Sequence, residues 1–430
     1  MQRTGNLFCR LLLLSVLTLP MVWLTACNDD AIVGGPFAPD EVRVNADTIN
    51  IDQTFYRTSP SFSGNLAYFT AGYVNDPLFG PIDAVALLRP SLQLLQATDT
   101  IVEDPRAILS MAVQDIYGMP EQPAEFEIVT IDRRWRMNSW RYDSIPDLSN
   151  NVIGRFSVTQ ADTFDVELDR NWAMKFRDFV YMEAGDTRDE RYRSEMPGIA
   201  IVPADQNGKL FSVHFENIFL EFPLPPELEE EIRQDIEDSQ VVDEDEEGEN
   251  GEIVVPTPAV AMQSWAISIR SERPSPEQFN GSIPLWNHQR GIMELDLKIT
   301  RDFLDTGSFS RVELVAYEDK ETMKDAYPTG FERPWPETIR YFLFDDDELE
   351  YAIDSGKSPI LQTNKRDDAS YRVNMTTFSY DQIYDASNPE TRNFYMISGF
   401  NDGRIMPVLI GDHTNPRLRP AILLTGVTRE

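Results

Sequence analysis

The chain has 430 residues, with 72 Asp and Glu against 38 Lys and Arg, which gives a formal charge of −34. This charge repels nucleic-acid phosphates and anionic lipid surfaces, so neither is expected as a partner. With 41% hydrophobic residues the chain can bury a large core. Its length exceeds what one compact core usually holds, which predicts two domains.

The first 30 residues have the layout of a secretory signal peptide. Two arginines precede an apolar run from Leu11 to Trp23, and the small residues Thr25 and Ala26 stand directly before Cys27. A basic start, a hydrophobic stretch too short to span a bilayer and small residues at the cleavage point are typical of such signals. A cysteine after the small pair resembles the bacterial lipobox, in which the thiol is acylated and residues 1–26 are removed. The alternative is an ordinary cleaved signal with an accidental cysteine.

The cysteine count favours the lipobox. The other cysteine, Cys9, lies in the segment that processing removes, so residues 27–430 can form no disulfide within the chain. Lipid on Cys27 would hold the protein at a membrane. The sequence therefore predicts an extracytoplasmic lipoprotein, at the outer membrane or the cell surface. It does not decide which membrane.

Composition divides the remainder into four segments. Residues 27–45 are mostly polar and are expected to be a tether. Residues 46–225 and 253–430 both contain short β-rich runs separated by turn residues. Between them, residues 226–252 hold 14 acidic residues, one basic residue and no aromatic residue. Such a run buries too little apolar surface to fold alone, which predicts either an acidic linker between two domains or a loop within one larger unit.

Strand signals dominate both long segments. Strands are expected at 48–56, 84–95, 108–116, 126–131, 164–168, 198–203, 210–222, 291–299, 311–317, 338–344, 370–376, 393–398, 406–410 and 420–427. Helices are expected only at 171–179, at 380–386 and, frayed, at 226–238. We expect the run 198–203 to pair with 210–222. Many short strands with few helices predict an all-β fold, and the similar order of elements in the two segments favours two tandem β-sandwiches of jelly-roll type.

Four short motifs carry a resemblance to a known family. These are GYVNDPLFG at 72–80, the strand at 84–88, the residues IYG at 116–118 and GIAIVP at 198–203. Together with the signal peptide they resemble a family of uncharacterised Bacteroidetes-type lipoproteins that share a domain of unknown function. The resemblance covers residues 27–222 and implies a location and a fold, with no activity attached.

Aromatic and arginine side chains are the best candidates for ligand contact. Trp135 and Trp140 stand in a segment rich in arginine that includes Arg136. Trp286 and Trp335 stand among prolines. Exposed rings can stack on sugar faces, and arginine can bind the carboxylates of acidic sugars with two hydrogen bonds. The alternative is that these rings cap the ends of sandwich cores. The two tryptophans of the first segment also resemble those of jelly-roll carbohydrate-binding domains, a faint similarity that assigns no ligand residues.

The chain has few residues suited to metal binding. Its histidines, His214, His288 and His413, are scattered and are not spaced as a metal pair, and residues 28–430 contain no cysteine. The acidic run has oxygen ligands at some calcium-loop offsets, but Val254 stands where a bidentate glutamate is required. No metal and no cofactor is therefore predicted.

These patterns predict a lipid-anchored, non-catalytic binding or scaffold protein of the cell envelope, which engages a glycan or another envelope protein. The alternative is a polysaccharide hydrolase or lyase. Acidic residues are too numerous for the sequence to single out a catalytic pair at a fixed separation. Binding is favoured because a few aromatic and arginine contacts suffice for it, whereas catalysis needs accurately placed groups with perturbed pKa values.

Overall fold

The computed structural model describes residues 43–59, 61–95, 105–206, 208–224, 226–238, 255, 257–272, 275–288, 291–297, 307–344, 361–380 and 393–428. Within these ranges the chain forms 20 strands and a few short helices. The prediction of an all-β fold with few short helices is therefore confirmed. The signal peptide, Cys27 and most of the predicted tether lie outside the described residues.

The first ten strands are β1 (Arg43–Asn50), β2 (Thr54–Thr58), β3 (Tyr68–Asp76), β4 (Gly80–Pro90), β5 (Ile108–Gly118), β6 (Ala124–Ile131), β7 (Leu148–Val158), β8 (Thr163–Glu167), β9 (Ile199–Pro203) and β10 (Lys209–Glu221). The next ten are β11 (Ala259–Ile269), β12 (Ser282–Leu285), β13 (Gly291–Leu295), β14 (Gly307–Tyr317), β15 (Thr338–Phe344), β16 (Leu361–Asn364), β17 (Ser370–Asn374), β18 (Asn393–Ser398), β19 (Val408–Gly411) and β20 (Ala421–Thr428). The helices are α1 (Arg170–Tyr181), α2 (Asp186–Glu195), α3 (Pro226–Asp238), α4 (Lys320–Ala326) and the single turn α5 (Thr376–Phe378).

The largest sheet has the strand order β7-β6-β9-β4-β11-β10-β5-β8, and β3 pairs with both β4 and β10. Strand β4 lies in its interior and is buried on both faces. Ala84, Ala86 and Leu88 face the main core, whereas Val85 and Leu87 face a second, smaller core on the other side of the sheet. Burial on two faces explains why residues 84–88 of this strand are all apolar.

Three smaller sheets complete the described fold. Their strand orders are β1-β20-β14-β17, β16-β15-β18-β13-β2 and β12-β19. The main core is one contiguous cluster that takes residues from all four sheets, for example Phe211 on β10, Leu314 on β14, Ile339 on β15 and Leu409 on β19. Apolar burial therefore joins the sheets of the described residues into one body.

Strand pairing crosses the two predicted domains, 46–225 and 253–430. Strands β1 and β2 pair with β20 and β13, and β11 lies between β4 and β10 of the large sheet. The run 48–56, predicted as one strand, is interrupted after residue 50, and its two parts enter different sheets. The predicted pairing of 198–203 with 210–222 is wrong, because β9 lies between β6 and β4 while β10 pairs with β3, β5 and β11.

Two of the predicted helices are present. Helix α1 begins after Asp169, whose carboxylate accepts hydrogen bonds from the backbone N–H groups of Asn171 and Trp172, both at 3.0 Å. This is a standard N-cap, and the face that includes Trp172 and Phe176 packs into the main core. Helix α3 coincides with the predicted frayed helix. Most of the helix predicted at 380–386 lies outside the described residues, and α2 was not predicted.

A buried carboxylate occupies the turn between β3 and β4. Asp76 is 2% exposed and accepts hydrogen bonds from the backbone N–H groups of Leu78 at 2.8 Å and Phe79 at 2.7 Å. It also accepts from the hydroxyl of Tyr117 at 2.5 Å and from that of Tyr327 at 2.9 and 3.0 Å. Asn, Asp and Pro in succession favour a turn at this point, and Asp76 holds it closed through its two backbone hydrogen bonds. Its carboxylate also fastens β5 to the segment that follows α4, and we call this group of side chains the Asp76 junction.

Candidate functional site

An arginine-lined pocket of about 530 Å³ opens where β4 ends, on the side of the large sheet that carries the second core. Four of its lining residues are Arg89, Arg134, Arg136 and Arg193. Among the described residues that line it, none is acidic. A positively charged pocket stands out on a chain whose formal charge is −34. We call it the arginine pocket.

Different elements bring these side chains together. Side chains alternate across a strand, so Arg89 follows Val85 and Leu87 on the face of β4 that carries the second core. Arg134 and Arg136 stand in the segment that follows β6, and Arg193 lies in the last turn of α2.

Helix α2 is fixed to β4 by a buried hydrogen bond. Tyr192 is 2% exposed, and its hydroxyl donates to the Pro90 carbonyl at 2.8 Å. Burial raises the pKa of Tyr192 far above its usual value, with the nearby Arg89 charge acting in the opposite direction. The phenol therefore stays neutral and holds Arg193 beside the end of β4 at ordinary pH.

Arg89 forms the floor of the pocket. It is 5% exposed, and its Nε donates to the Pro197 carbonyl at 2.8 Å while its Nη2 donates to the Trp135 carbonyl at 3.0 Å. Its Cζ lies 4.8 Å from the centroid of the Trp135 ring. A guanidinium has five N–H donors. The two bonds to carbonyls leave three of these donors available to a ligand in the pocket.

The hydrogen bond from Arg89 to the Pro197 carbonyl depends on the backbone at Gly198 lying close to β4. Gly198 has φ of +144°, and a Cβ at that position would lie 2.4 Å from the Leu88 carbonyl oxygen. Only glycine fits, so Pro197 can place its carbonyl where both Arg89 and the Trp135 Nε1 donate to it, at 2.8 and 3.0 Å.

The Arg89 charge has no acidic partner among the described residues. Burial lowers the pKa of the Arg89 guanidinium to about 10, with the nearby Tyr192 acting in the opposite direction and Arg193 and Arg134 lowering it further. A pKa of about 10 leaves the group fully charged at neutral pH. Burying a charge without a counter-ion is costly, and an anionic ligand would offset that cost.

The other arginines differ in their partners. Arg134 forms an ion pair with Glu190 of α2, an exposed contact that is weak in water. Arg136 is exposed and Arg193 is half-buried. Neither has an ion-pair partner within the part of the chain that the structure describes. The pocket therefore keeps at least three uncompensated positive charges.

Two of the predicted tryptophans support this pocket from below. Trp135 is 3% exposed and lies in the second core, with its ring centroid 5.9 Å from that of Trp140. Trp140 packs against the same core, and its Nε1 donates to the Ser268 hydroxyl at 2.9 Å. The Trp135 ring is therefore not free to stack on a sugar, whereas Trp140 is half-buried. Of the predicted residues in this segment, Arg136 is the one that faces the pocket with its side chain exposed.

The structure places the remaining two predicted tryptophans elsewhere. Trp286 is 5% exposed and packs in the main core. Trp335 is 39% exposed, with the Arg333 Cζ 4.0 Å and the Lys365 Nζ 4.7 Å from its ring centroid. Lys365 in turn pairs with the buried Glu318 at 2.9 Å. Trp335 is thus already in contact with two cations, and neither tryptophan belongs to the arginine pocket.

Sequence reasoning missed Arg89 and Arg193. A detectable signal existed for Arg89, since it is the only charged residue in the run from Ala84 to Pro90. A lone charged side chain in a strand that is buried on both faces needs an oppositely charged partner or access to solvent. Arg193 offered no such signal, because α2 was not predicted and its sequence is polar around most of its circumference.

No three His, Cys, Asp or Glu side chains come together as a metal site within the described ranges. The three histidines lie apart: His214 packs against Tyr68, His288 is buried against Trp286, and His413 accepts from the Thr54 backbone N–H at 3.2 Å. No described helix is long and apolar enough to cross a membrane.

Comparison with known proteins adds little. No protein-family model and no curated protein matches the chain. A search of solved structures found a Penaeus vannamei nodavirus structure with TM-score 0.13 and 8% identity, covering 91% of each chain. It also found the Faustovirus major capsid protein with TM-score 0.13 and 8% identity, covering 94% of this chain and 93% of that one. Likenesses this weak carry no inference about function.

Proposed function

We propose that this protein is a non-catalytic, lipid-anchored protein of the cell envelope that binds an acidic glycan in the arginine pocket. The observation that carries the proposal is Arg89, a buried and uncompensated cation whose free donors open into a pocket with three more arginines. Guanidinium groups recognise carboxylates through paired, charge-assisted hydrogen bonds.

The pocket is better suited to binding than to catalysis. Glycosidases use two carboxyl groups across a cleft. The acidic residue that contacts a lining arginine, Glu190, is occupied by Arg134. The aromatic ring beneath the pocket, Trp135, is covered, so recognition rests on charge and hydrogen bonds rather than on stacking.

The proposal is tested by calorimetric titration of the purified, unlipidated chain with galacturonic acid and, as its uncharged counterpart, galactose. Galacturonic acid is expected to bind and galactose is not. The double variant Arg136→Gln/Arg193→Gln is expected to weaken galacturonic acid binding at least about tenfold, since each charged hydrogen bond contributes about 1.5–3 kcal/mol. Absence of uronate binding in the wild-type chain would overturn the proposal.

The matched control is Arg133→Gln. Arg133 is exposed and belongs to the same arginine-rich segment, but it does not line the pocket. Its removal changes the net charge without changing the site, so galacturonic acid should bind as to the wild type. An assay for new reducing ends accompanies the titration, and release of such ends from a polyuronate would favour the hydrolase or lyase alternative. Binding of polyglutamate but not of uronates would point to a protein partner.

The membrane anchor is tested separately, because Cys27 lies outside the described residues. Cys27→Ser is expected to move the protein from the membrane fraction to the soluble fraction. Cys9→Ser is the matched control, since that cysteine lies within the predicted signal peptide and should leave fractionation unchanged. A Cys27→Ser protein that stays in the membrane fraction would show that the lipobox interpretation is wrong.

A further inference from the structure

The arginine pocket adjoins a second, smaller pocket of about 150 Å³. Arg193 and Gln263 line both. The second pocket adds Arg188 and Asp189, which form an ion pair at 3.1 Å between the Arg188 Nε and the Asp189 carboxylate, so the two charges largely compensate each other. Two adjoining pockets of unequal charge thus meet along one edge of α2 and the end of β4.

Gln263 stands at this meeting point because of a break in the sheet. In the pairing of β11 with β4, Met262 lies opposite Pro90 and Ser264 lies opposite Arg89, so Gln263 is an extra residue with no partner on β4. Such a bulge interrupts the hydrogen-bond ladder and re-aims a side chain, and bulges are common beside binding sites.

The bulge leaves the side-chain amide of Gln263 exposed to solvent between the two pockets. Gln263 is exposed, and its side chain makes no hydrogen bond to any described residue. An amide both donates and accepts hydrogen bonds, which suits the hydroxyl groups and ring oxygen of a sugar, whereas arginine suits a carboxylate. The order along the site is therefore cation, amide and the Arg188–Asp189 ion pair.

From this arrangement we propose that the ligand is a linear acidic oligosaccharide that spans both pockets, with Gln263 as the residue that bridges its two occupied units. The inference rests on the proposed function and specifies its ligand class. One uronate unit places its carboxylate against Arg89 and Arg193, the hydroxyl groups of the next unit lie beside the Arg188–Asp189 ion pair, and Gln263 binds the neutral atoms between the two units.

The test is a titration series with galacturonic acid, digalacturonate and trigalacturonate. The affinity of the wild-type chain is expected to rise at least about tenfold from the monomer to the trimer, because the second unit binds as part of the same molecule. Gln263→Ala is expected to leave the monomer affinity within twofold and to reduce the trimer affinity about fivefold, the factor for one net hydrogen bond.

Gln114→Ala is the matched control, since Gln114 is an exposed glutamine on β5 that lines neither pocket. It should reproduce the wild-type series. Equal affinities for monomer and trimer would overturn the two-pocket inference and leave the arginine pocket standing as a single-unit site. An equal loss for monomer and trimer in Gln263→Ala would also overturn it, because Gln263 would then belong to the first pocket alone. Failure of every uronate to bind would overturn both proposals.

Discussion

Two arginines of this chain are buried with their guanidinium groups over a tryptophan ring, Arg89 over Trp135 and Arg333 over Trp335. Arg333 is hydrogen-bonded to the Asp76 junction through Tyr327. Its Nη1 donates to the Tyr327 hydroxyl at 2.7 Å, which in turn bonds to the Asp76 carboxylate. Its Nη2 donates to a backbone carbonyl.

Arg89 has carbonyl partners only, and its remaining donors face the arginine pocket. The pocket beside Arg333 differs in charge, since Asp115 and Glu332 also line it. A buried arginine packed on a tryptophan ring therefore has two different roles in this protein. Where a carboxylate closes the network, the arginine holds the fold together, and where none does, the positive charge is left for a ligand.

The largest effect is expected from Asp76→Ala. This change removes the acceptor of the junction and leaves buried donors of Tyr117 and Tyr327 without it, so the free energy of unfolding should fall by about 3–5 kcal/mol in urea. Asp83→Ala on β4 is the control, because its pair with Arg270 is partly exposed and should contribute about 1 kcal/mol or less. A loss below about 1 kcal/mol in the first variant would mean that the junction is not a source of stability.

Next in size is the contrast between Arg333→Met and Arg89→Met. Arg333→Met should lower the free energy of unfolding by about 2 kcal/mol and leave uronate binding unchanged. Arg89→Met should do the reverse, changing stability by about 1 kcal/mol or less and weakening galacturonic acid binding at least about tenfold. Urea unfolding and calorimetry on both proteins measure the two effects. Similar behaviour of the two variants would mean that Arg89 and Arg333 do not differ in role.

The Asp76 junction should also affect how the free energy of unfolding changes with pH in alkaline solution. Burial, and next to it the charge of Asp76, raises the pKa of Tyr117 well above its usual value of 10.0. The unfolded chain then loses this proton first, so the stability due to Tyr117 is complete below pH 10 and is lost as the pH rises further.

Replacing Tyr117 by Phe should therefore reduce the fall of unfolding free energy above pH 10 by up to about 1.4 kcal/mol per pH unit. The measurement is urea unfolding between pH 8 and pH 11.5, with phenolate absorbance as the second signal. Arg133→Gln is the control, since it removes an exposed charge and no tyrosine. An unchanged alkaline slope in Tyr117→Phe would contradict the assigned cause.

The smallest effect is expected from cutting the chain within residues 239–252 at an inserted protease site. Strands β1, β2 and β11 pair across this point, and the Asp76 junction joins residues from both sides of it. The two fragments should therefore stay together on gel filtration without denaturant. Separation into two folded fragments would support independent domains, 46–225 and 253–430, as the sequence predicted.

Several elements could be predicted from the sequence alone because their signals are local. Strands β15 and β18 have the predicted limits, and the prediction of α1 is correct to within two residues at each end. The turn at Asp76 likewise has a local signal, Asn, Asp and Pro in succession. Each of these depends on periodicity or on turn residues within a few positions, which a sequence displays directly.

Pairing between distant strands was not accessible in this way. The predicted strand 48–56 divides between two sheets, and β11 enters the large sheet although it follows the acidic run. Antiparallel partners are selected by which faces bury together, and that depends on the whole core rather than on any one strand.

The candidate site was likewise predicted only in its local features. The sequence pointed to an arginine-rich segment with two tryptophans, and Arg136 does line the pocket. It could not show that Trp135 would be covered, or that Arg89 would end beneath it without an acidic partner.

Composition and local pattern thus determined the acidic character, the predicted lipobox at Cys27 and the all-β class of this protein. The tertiary structure decided which arginine meets a carboxylate and which is left uncompensated. The physical reason is that the energy of a buried charge depends on neighbours brought from distant parts of the chain, and Arg89 and Arg333 differ only in those neighbours.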